Sequence, residues 1–267
     1  MLLDNKIIVV SGIGPGLGIK LATEAAAAGA AGLVVAARTR SRLDETVDKI
    51  RNINPDCSCI PVVCDITQRD QCDAVAATAV EQFGRVDGLV NSAFYHGNFE
   101  QIDQADLTEW MSIYQTNVIG SMNMTNALVP AMKQQKSGSI VMIGTMATRK
   151  PAILEIGGES GYAASKAAIT TAAKYLAAEL GPFGIRVNNV LMGWMWGEPV
   201  KAYVAMAAQQ AGVDEQVIYD GIAKDIPLRR IVTDEECARA ALMLLSDYSS
   251  AVTGASLDAN GGMFIPS

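Results

Sequence analysis

A single histidine, His96, serves the whole chain of 267 residues, and cysteine is limited to five. Cys57 and Cys59 form C-x-C, and no C-x-x-C pair occurs. Zinc sites draw on histidine and closely paired cysteine, so no metal site is expected. The thiols are expected to stay reduced, as in a cytoplasmic protein. Excess positive charge is missing as well. The formal charge of −7 argues against nucleic acid, whose phosphates call for basic surface, and against anionic membranes. The stretch 25–37 is the longest run of small apolar residues, but two glycines interrupt it and it is too short to span a bilayer. The opening MLLDNKIIVV has no basic region ahead of a long apolar one and does not read as a signal peptide. Aromatic residues make up only 6%, so the core falls to Ala, Val, Ile, Leu and Met.

What the chain does have is regular alternation. Apolar runs of strand length occur at 6–11, 32–37, 59–64, 88–92, 139–144, 185–191 and 256–258. They are near-continuous in Val, Ile and Leu, as parallel strands buried on both faces should be. Helical segments are predicted at 16–29, 42–52, 68–83, 106–136, 161–180 and 233–245, several of them rich in the strong helix former Ala. This order predicts an α/β fold, a single-domain doubly wound parallel sheet over 1–267. Residues 193–228 break the alternation and read as a long insertion. It follows a strand's carboxyl end, the side where such sheets bind ligands.

Behind the first strand stands SGIGPGLG, residues 11–18. The strict G-x-G-x-x-G spacing fails at Leu17. A [Ser/Thr]-G-x-x-x-G-x-G spacing fits instead, from Ser11, with Gly12, Gly16 and Gly18 in the key places and Gly14 between them. Such a turn offers backbone N–H groups and a helix N-terminus to a pyrophosphate. The second predicted strand ends in Ala37 and Arg38, with Arg40 and Arg42 close behind. An absent acid and a present arginine suit the 2′-phosphate of NADP(H) better than the free ribose of NAD(H), which stays possible. Asp65, followed by Ile66, ends the third strand where it can meet an adenine. Asn91, Ser92 and Ala93 end the fourth, where they can line the adenosine pocket.

Tyr162 and Lys166 stand four apart in GYAASKAA, on one face of a predicted helix. A nearby ammonium should draw a phenol down from its ordinary pKa near 10 towards the range of general acid–base catalysis. Tyr95 and His96 follow the fourth strand and are candidate substrate contacts. Trp194 and Trp196, two of the three tryptophans, open the insertion with Met192 and Met195 beside them. Large adaptable apolar side chains there suit a bulky hydrophobic substrate.

Together these stretches resemble the short-chain dehydrogenase/reductase family over essentially the whole chain. SGIGPGLG, CDIT, NSA, TNVIG, IVMIGT, YAASK, RVNNVLMG and VTGASLDANGG fall in the family's order. The resemblance implies hydride transfer between a nicotinamide and a carbonyl or alcohol carbon. Tyr162 would exchange the proton, and Lys166 would lower its pKa and hold the nicotinamide ribose. Asn117 would hold a water in the proton relay, and Thr145 would stabilise the substrate oxygen. Met192 and Gly193 would border the nicotinamide. A homotetramer is implied too. Several positions depart from the family pattern: Thr145 replaces a serine, Met192 a proline, and NSA the common N-A-G, while Pro15 stands where NADP-using members often have a basic residue. The separation of 17 residues between Thr145 and Tyr162 is long, implying extra residues beside the substrate within 148–160. The expected activity is reduction of bulky ketones, cyclic, aryl or steroid-like, or oxidation of the matching alcohols. Reduction of 3-oxoacyl thioesters is the alternative, and a non-catalytic NADP-binding role a more distant one. An enoyl reductase is disfavoured, because its tyrosine and lysine are normally more widely spaced.

Overall fold

The computed structural model describes every residue except Ala152, Glu155, Ile156, Pro266 and Ser267, and at 153 and 154 the backbone alone. The first half alternates β1 (Ile7–Ser11), α1 (Leu17–Ala27), β2 (Gly32–Ala37), α2 (Arg40–Ile53), β3 (Ser58–Val63), α3 (Arg69–Phe83) and β4 (Gly88–Asn91). Next come α4 (Leu107–Tyr114), α5 (Ser121–Gln135), β5 (Gly138–Thr145), the two-residue strands β6 (Ile153–Leu154) and β7 (Gly157–Gly158), and α6 (Ser160–Leu180). The chain closes with β8 (Ile185–Met192), α7 (Glu198–Ala211), α8 (Glu215–Ala223), α9 (Asp234–Met243) and β9 (Ser256–Ala259).

Seven strands form one parallel sheet in the order β3-β2-β1-β4-β5-β8-β9, the centre of a single α/β domain. Its two faces follow from alternation along each strand. Ile8, Val10, Leu33 and Val35 point into a core with Leu21, Ala22, Ala25, Ala238 and Leu242 of α1 and α9. Val9, Val34 and Ala36 point the other way, into a core with Val75, Ala79, Met124, Leu128, Ile169 and Ala173 of α3, α5 and α6. Alanines on the helices let them lie close to the sheet. The chain runs outward from β1 to β3, then crosses back to β4 on the other side of β1. That reversal opens a crevice at the strands' carboxyl ends, between β1 and β4.

Three local features differ from the sequence expectation. The helix predicted over 106–136 is interrupted by a π-helical turn, Gln115–Gly120, between α4 and α5. A π turn accommodates one residue more than an α turn and turns side chains onto a new face, and here it buries Asn117 completely. Residues 193–228 are largely helical rather than loop. Pro199 sits in the first turn of α7, Gly212 ends it in the left-handed region at φ +66°, and the Asp214 side chain caps α8. Helix α2 starts at Arg40, so Arg40 and Arg42 belong to its first turn. The extra residues expected within 148–160 include β6 and β7, paired antiparallel, while 152, 155 and 156 of that stretch lie outside the described residues. Among the described residues no helix is long and apolar enough to cross a membrane.

Candidate active site

A cleft of about 410 Å³ lies over the carboxyl ends of β1, β2, β4, β5 and β8. The glycine turn forms one wall. At Gly12, with φ +93°, a Cβ would fall 2.2 Å from the Ala93 nitrogen, and at Gly18 it would fall 2.0 Å from the Gly12 carbonyl oxygen. These two glycines let the turn close on itself and on the end of β4. A Cβ on Gly14 meets nothing within 4 Å, so its backbone borders open space. That is the cradle a pyrophosphate requires, with the N-terminus of α1 behind it.

Gly12, Gly14, Gly16, Leu17, Gly18, Arg38, Asp65, Ile66, Ser92, Ala93 and Gly193 all line the cleft. Ser11 and Asn91 do not; both are buried in the sheet, and Asn91 Nδ2 donates to Thr125 Oγ1 at 3.0 Å. Arg40 and Arg42 are committed to Asp44 and Glu45 on their own helix, whereas Arg38 forms no ion pair among the described residues. Asp65 Oδ1 accepts from the backbone and hydroxyl of Thr67, which fixes its carboxylate at the rim. The residues present therefore fit a nicotinamide dinucleotide, with the glycine turn for its phosphates and Arg38 beside the adenosine end.

Towards β5 and α6 the cleft is lined by Ile143, Thr145, Tyr162 and Lys166. Tyr162 and Lys166 share one face of α6 because they are one helical turn apart. Lys166 is buried, and its Nζ donates to the Ile143 carbonyl at 2.8 Å. Burial lowers its pKa to about 8. The phenol of Tyr162 behaves differently from the sequence expectation. Burial pushes its pKa above the ordinary value, the Glu159 carboxylate adds to that, and a hydrogen bond with Thr145 pulls back. Lys166 Nζ lies 5.8 Å from the centre of the Tyr162 ring and points its hydrogen bond at the Ile143 carbonyl, and it does not offset the burial of the phenol. Thr145 Oγ1 also accepts from Ala147 N at 3.2 Å, which holds the hydroxyl at the end of β5.

Asn117 does not line the cleft. Its Oδ1 accepts from Tyr95 N at 2.7 Å, and its Nδ2 donates to the Tyr95 carbonyl and to Ser165 Oγ, both at 2.9 Å. The side chain expected to hold a relay water is thus a clamp between the loop after β4 and helix α6.

The remaining expected contacts divide. Neither Tyr95 nor His96 lines the cleft, but His96 stacks on Tyr162, with ring centroids 4.7 Å apart, whereas the Tyr95 hydroxyl turns outward to Glu109. Neither tryptophan of the insertion lines the cleft. Trp194 packs on Tyr203 of α7 at 5.4 Å, and Trp196 meets Tyr219 of α8 edge-on at 4.8 Å. Met195, between them, faces the cleft with Met192 and Val200. A β-bridge from Met195 to Val232 fixes this alternation.

Sequence reasoning passed over Phe94 and Asp234. Phe94 lines the cleft next to Ala93, 6.1 Å from the Tyr162 ring, and remains 55% exposed. Its place directly after NSA was the available signal. Asp234 opens α9, is buried against Gly16 and Gly197, and has its pKa raised by burial and by Glu235.

Comparison with known proteins places this arrangement. A family profile described as "Enoyl-(Acyl carrier protein) reductase" matches residues 12–264. The 3-oxoacyl-[acyl-carrier-protein] reductase of Thermotoga maritima is 30% identical over 99% of this chain and 100% of its own length. The 7alpha-hydroxysteroid dehydrogenase of Escherichia coli is 28% identical over 97% of this chain and 94% of its own. Among solved structures, L-sorbose reductase from Gluconobacter frateurii, complexed with NADPH and L-sorbose, superposes with a TM-score of 0.91 at 26% identity over the full length of both chains. The chain belongs to the short-chain dehydrogenase/reductase family of oxidoreductases.

Proposed function

We propose that this oxidoreductase is NADP(H)-dependent and interconverts bulky hydrophobic ketones and secondary alcohols, of cyclic, aryl or steroid-like form. One observation carries the reading. One cleft runs from the glycine turn and Arg38, which forms no ion pair among the described residues, to Thr145, Tyr162 and Lys166. A bound nicotinamide supplies or accepts the hydride. The chain's own residues do the rest. Thr145 and Tyr162 hold the substrate oxygen, Tyr162 exchanges its proton, and Lys166 holds the ribose end of the site. Proximity of these groups within one cleft is itself a large share of the catalytic effect.

The choice of a hydrophobic substrate is supported by Phe94, whose ring lies 6.1 Å from that of Tyr162, and by Met192, which pairs with Thr145 across the sheet; both face the cleft. The cofactor preference is supported by Arg38, which stands next to Ala37 with no carboxylate in that place. The thioester alternative is less well supported. The arginines that could greet an acidic carrier protein are already engaged: Arg149 with Asp258, Arg230 with Glu236, and Arg229 with the Lys224 carbonyl. The Tyr-x-x-x-Lys spacing likewise supports carbonyl over enoyl reduction. Free thiols at all five cysteines support a cytoplasmic setting. Exposed Met111, Ile119 and Tyr175 on the outer faces of α4 to α6 support a homotetramer.

The test is kcat/KM with NADPH and NADH over ketones graded by bulk, with an acetoacetyl thioester and an enoyl thioester alongside. The reading expects NADPH with a cyclic or aryl ketone to be fastest. A faster rate with NADH, or with either thioester, overturns it.

A further inference from the structure

The chain's one histidine lies on the ring of its candidate proton donor. The His96 and Tyr162 rings stack with centroids 4.7 Å apart and planes 26° from parallel, and the Phe99 ring packs against His96 at 4.6 Å. Both histidine nitrogens face acceptors. Nδ1 is 3.2 Å from the Gly97 carbonyl oxygen, and Nε2 is 3.0 Å from Glu159 Oε2. A carbonyl can only accept, and so can an ionised carboxylate, so both bonds form together only when both nitrogens carry hydrogen. That species is the imidazolium.

We propose that His96 is held as an imidazolium by Glu159 and the Gly97 carbonyl, and that through the stack it acts as a positioning residue setting the pH range in which Tyr162 exchanges its proton. The proposal rests on Tyr162 being the proton-transferring group.

Glu159 stands at the start of α6, three residues before Tyr162, and its negative charge holds the phenol proton on. A positive His96 bonded to the same carboxylate and stacked on the same ring opposes that effect. Burial favours neutral His96, but the bonds to Glu159 and Gly97 outweigh it and raise its pKa. Once His96 loses its proton, the phenol faces Glu159 uncompensated. Among the described residues Lys166 is the other cation near the ring, 5.8 Å from its centre. Of the acids on neighbouring elements, Glu109 of α4 accepts from the Tyr95 hydroxyl, and Glu100 accepts from Asp106 N. Neither bonds to His96.

With one histidine in the chain, a sample labelled with 13C at histidine Cε1 and freed of any purification tag gives one NMR signal to titrate. In wild-type protein and in Tyr162→Phe its pKa should lie above the ordinary value of 6.5, and in Glu159→Gln it should fall by about one unit or more. A wild-type value at or below 6.5, or one unmoved in Glu159→Gln, overturns the imidazolium. This measurement needs no turnover, so it stands apart from the functional reading.

The second measurement is the pH profile of kcat/KM for oxidation of a secondary alcohol such as cyclohexanol with NADP+. His96→Gln should move the rising limb about one pH unit upward. The double variant His96→Gln/Glu159→Gln should bring it back towards wild-type, because both charges are then gone. A profile unmoved in His96→Gln, or a shift that persists in the double variant, overturns the positioning role. Full turnover in Tyr162→Phe would instead overturn the reading beneath it.

Discussion

Asn117 and Ser165 join two elements that the sequence places 48 residues apart, through a 2.9 Å bond from Asn117 Nδ2 to Ser165 Oγ. Ser165 Oγ in turn donates to the Tyr162 carbonyl at 2.7 Å, so the π-helical turn is tied to the helix that carries the candidate catalytic pair. Asn117→Ala removes this bond and leaves the Tyr95 N–H without its partner. Removing a partner from a buried donor costs about 1–3 kcal/mol. Thermal denaturation should show a lowered Tm, and kcat should fall more than cofactor affinity does. An unchanged Tm would show that the clamp contributes nothing.

Lys166 makes a pH-dependent contribution to stability. Its folded pKa of about 8 lies below the ordinary 10.5, so between those values the unfolded chain binds the proton and the folded chain does not. Stability from this residue therefore rises with pH across that window, and below about 8 burying the charge costs roughly 3 kcal/mol. Urea denaturation of wild-type and Lys166→Met at pH 7.5 and pH 10 checks this. Wild-type should gain on the variant at the higher pH, and a constant difference would contradict the assignment.

Trp196 and Phe94 should behave in opposite ways. Trp196 packs on Tyr219 rather than in the cleft, so Trp196→Ala should lower Tm and reduce kcat/KM alike for large and small ketones. Phe94 lines the cleft near Tyr162, and Phe94→Ala should penalise bulky substrates selectively. Losing contact with one large apolar side chain costs about 1.5–3 kcal/mol, a factor of ten to a hundred or so in kcat/KM. A selective loss in Trp196→Ala, with none in Phe94→Ala, would reverse the two roles.

These two aromatics also show where reading the sequence stops. The sheet was legible because strands such as IIVVS and GLVVAA are apolar on both faces, a pattern few other structures need. The placement of the glycine turn and of Tyr162 and Lys166 on one helix face was legible because each follows from spacing within a few residues. Trp194 and Trp196 suggested substrate contacts by composition, but a bridge between Met195 and Val232 decides which residues face inward, and that pairing crosses 37 residues of chain. The π turn at Asn117 has no local signature, because its stability comes from Tyr95 and Ser165 on other elements. The stack of His96 on Tyr162 is likewise a tertiary fact, made by the loop after β4 meeting α6.

Arg38 is the residue on which the proposed cofactor choice turns. Arg38→Asp should lower kcat/KM with NADPH by about ten- to a hundredfold, matching the 1.5–3 kcal/mol of a charge-assisted contact, and raise it with NADH. Steady-state kinetics with both cofactors reads this directly. No change in their ratio would show that Arg38 does not touch the phosphate.

Tyr162→Phe tests the central claim most directly, because it removes one oxygen atom from the cleft and leaves the glycine turn and Arg38 untouched. Calorimetric titration with NADPH should give an affinity close to wild-type, while ketone reduction followed at 340 nm should fall below a few per cent of the wild-type kcat. Retention of most of the turnover with intact cofactor binding would contradict the assignment of Tyr162 as the proton donor.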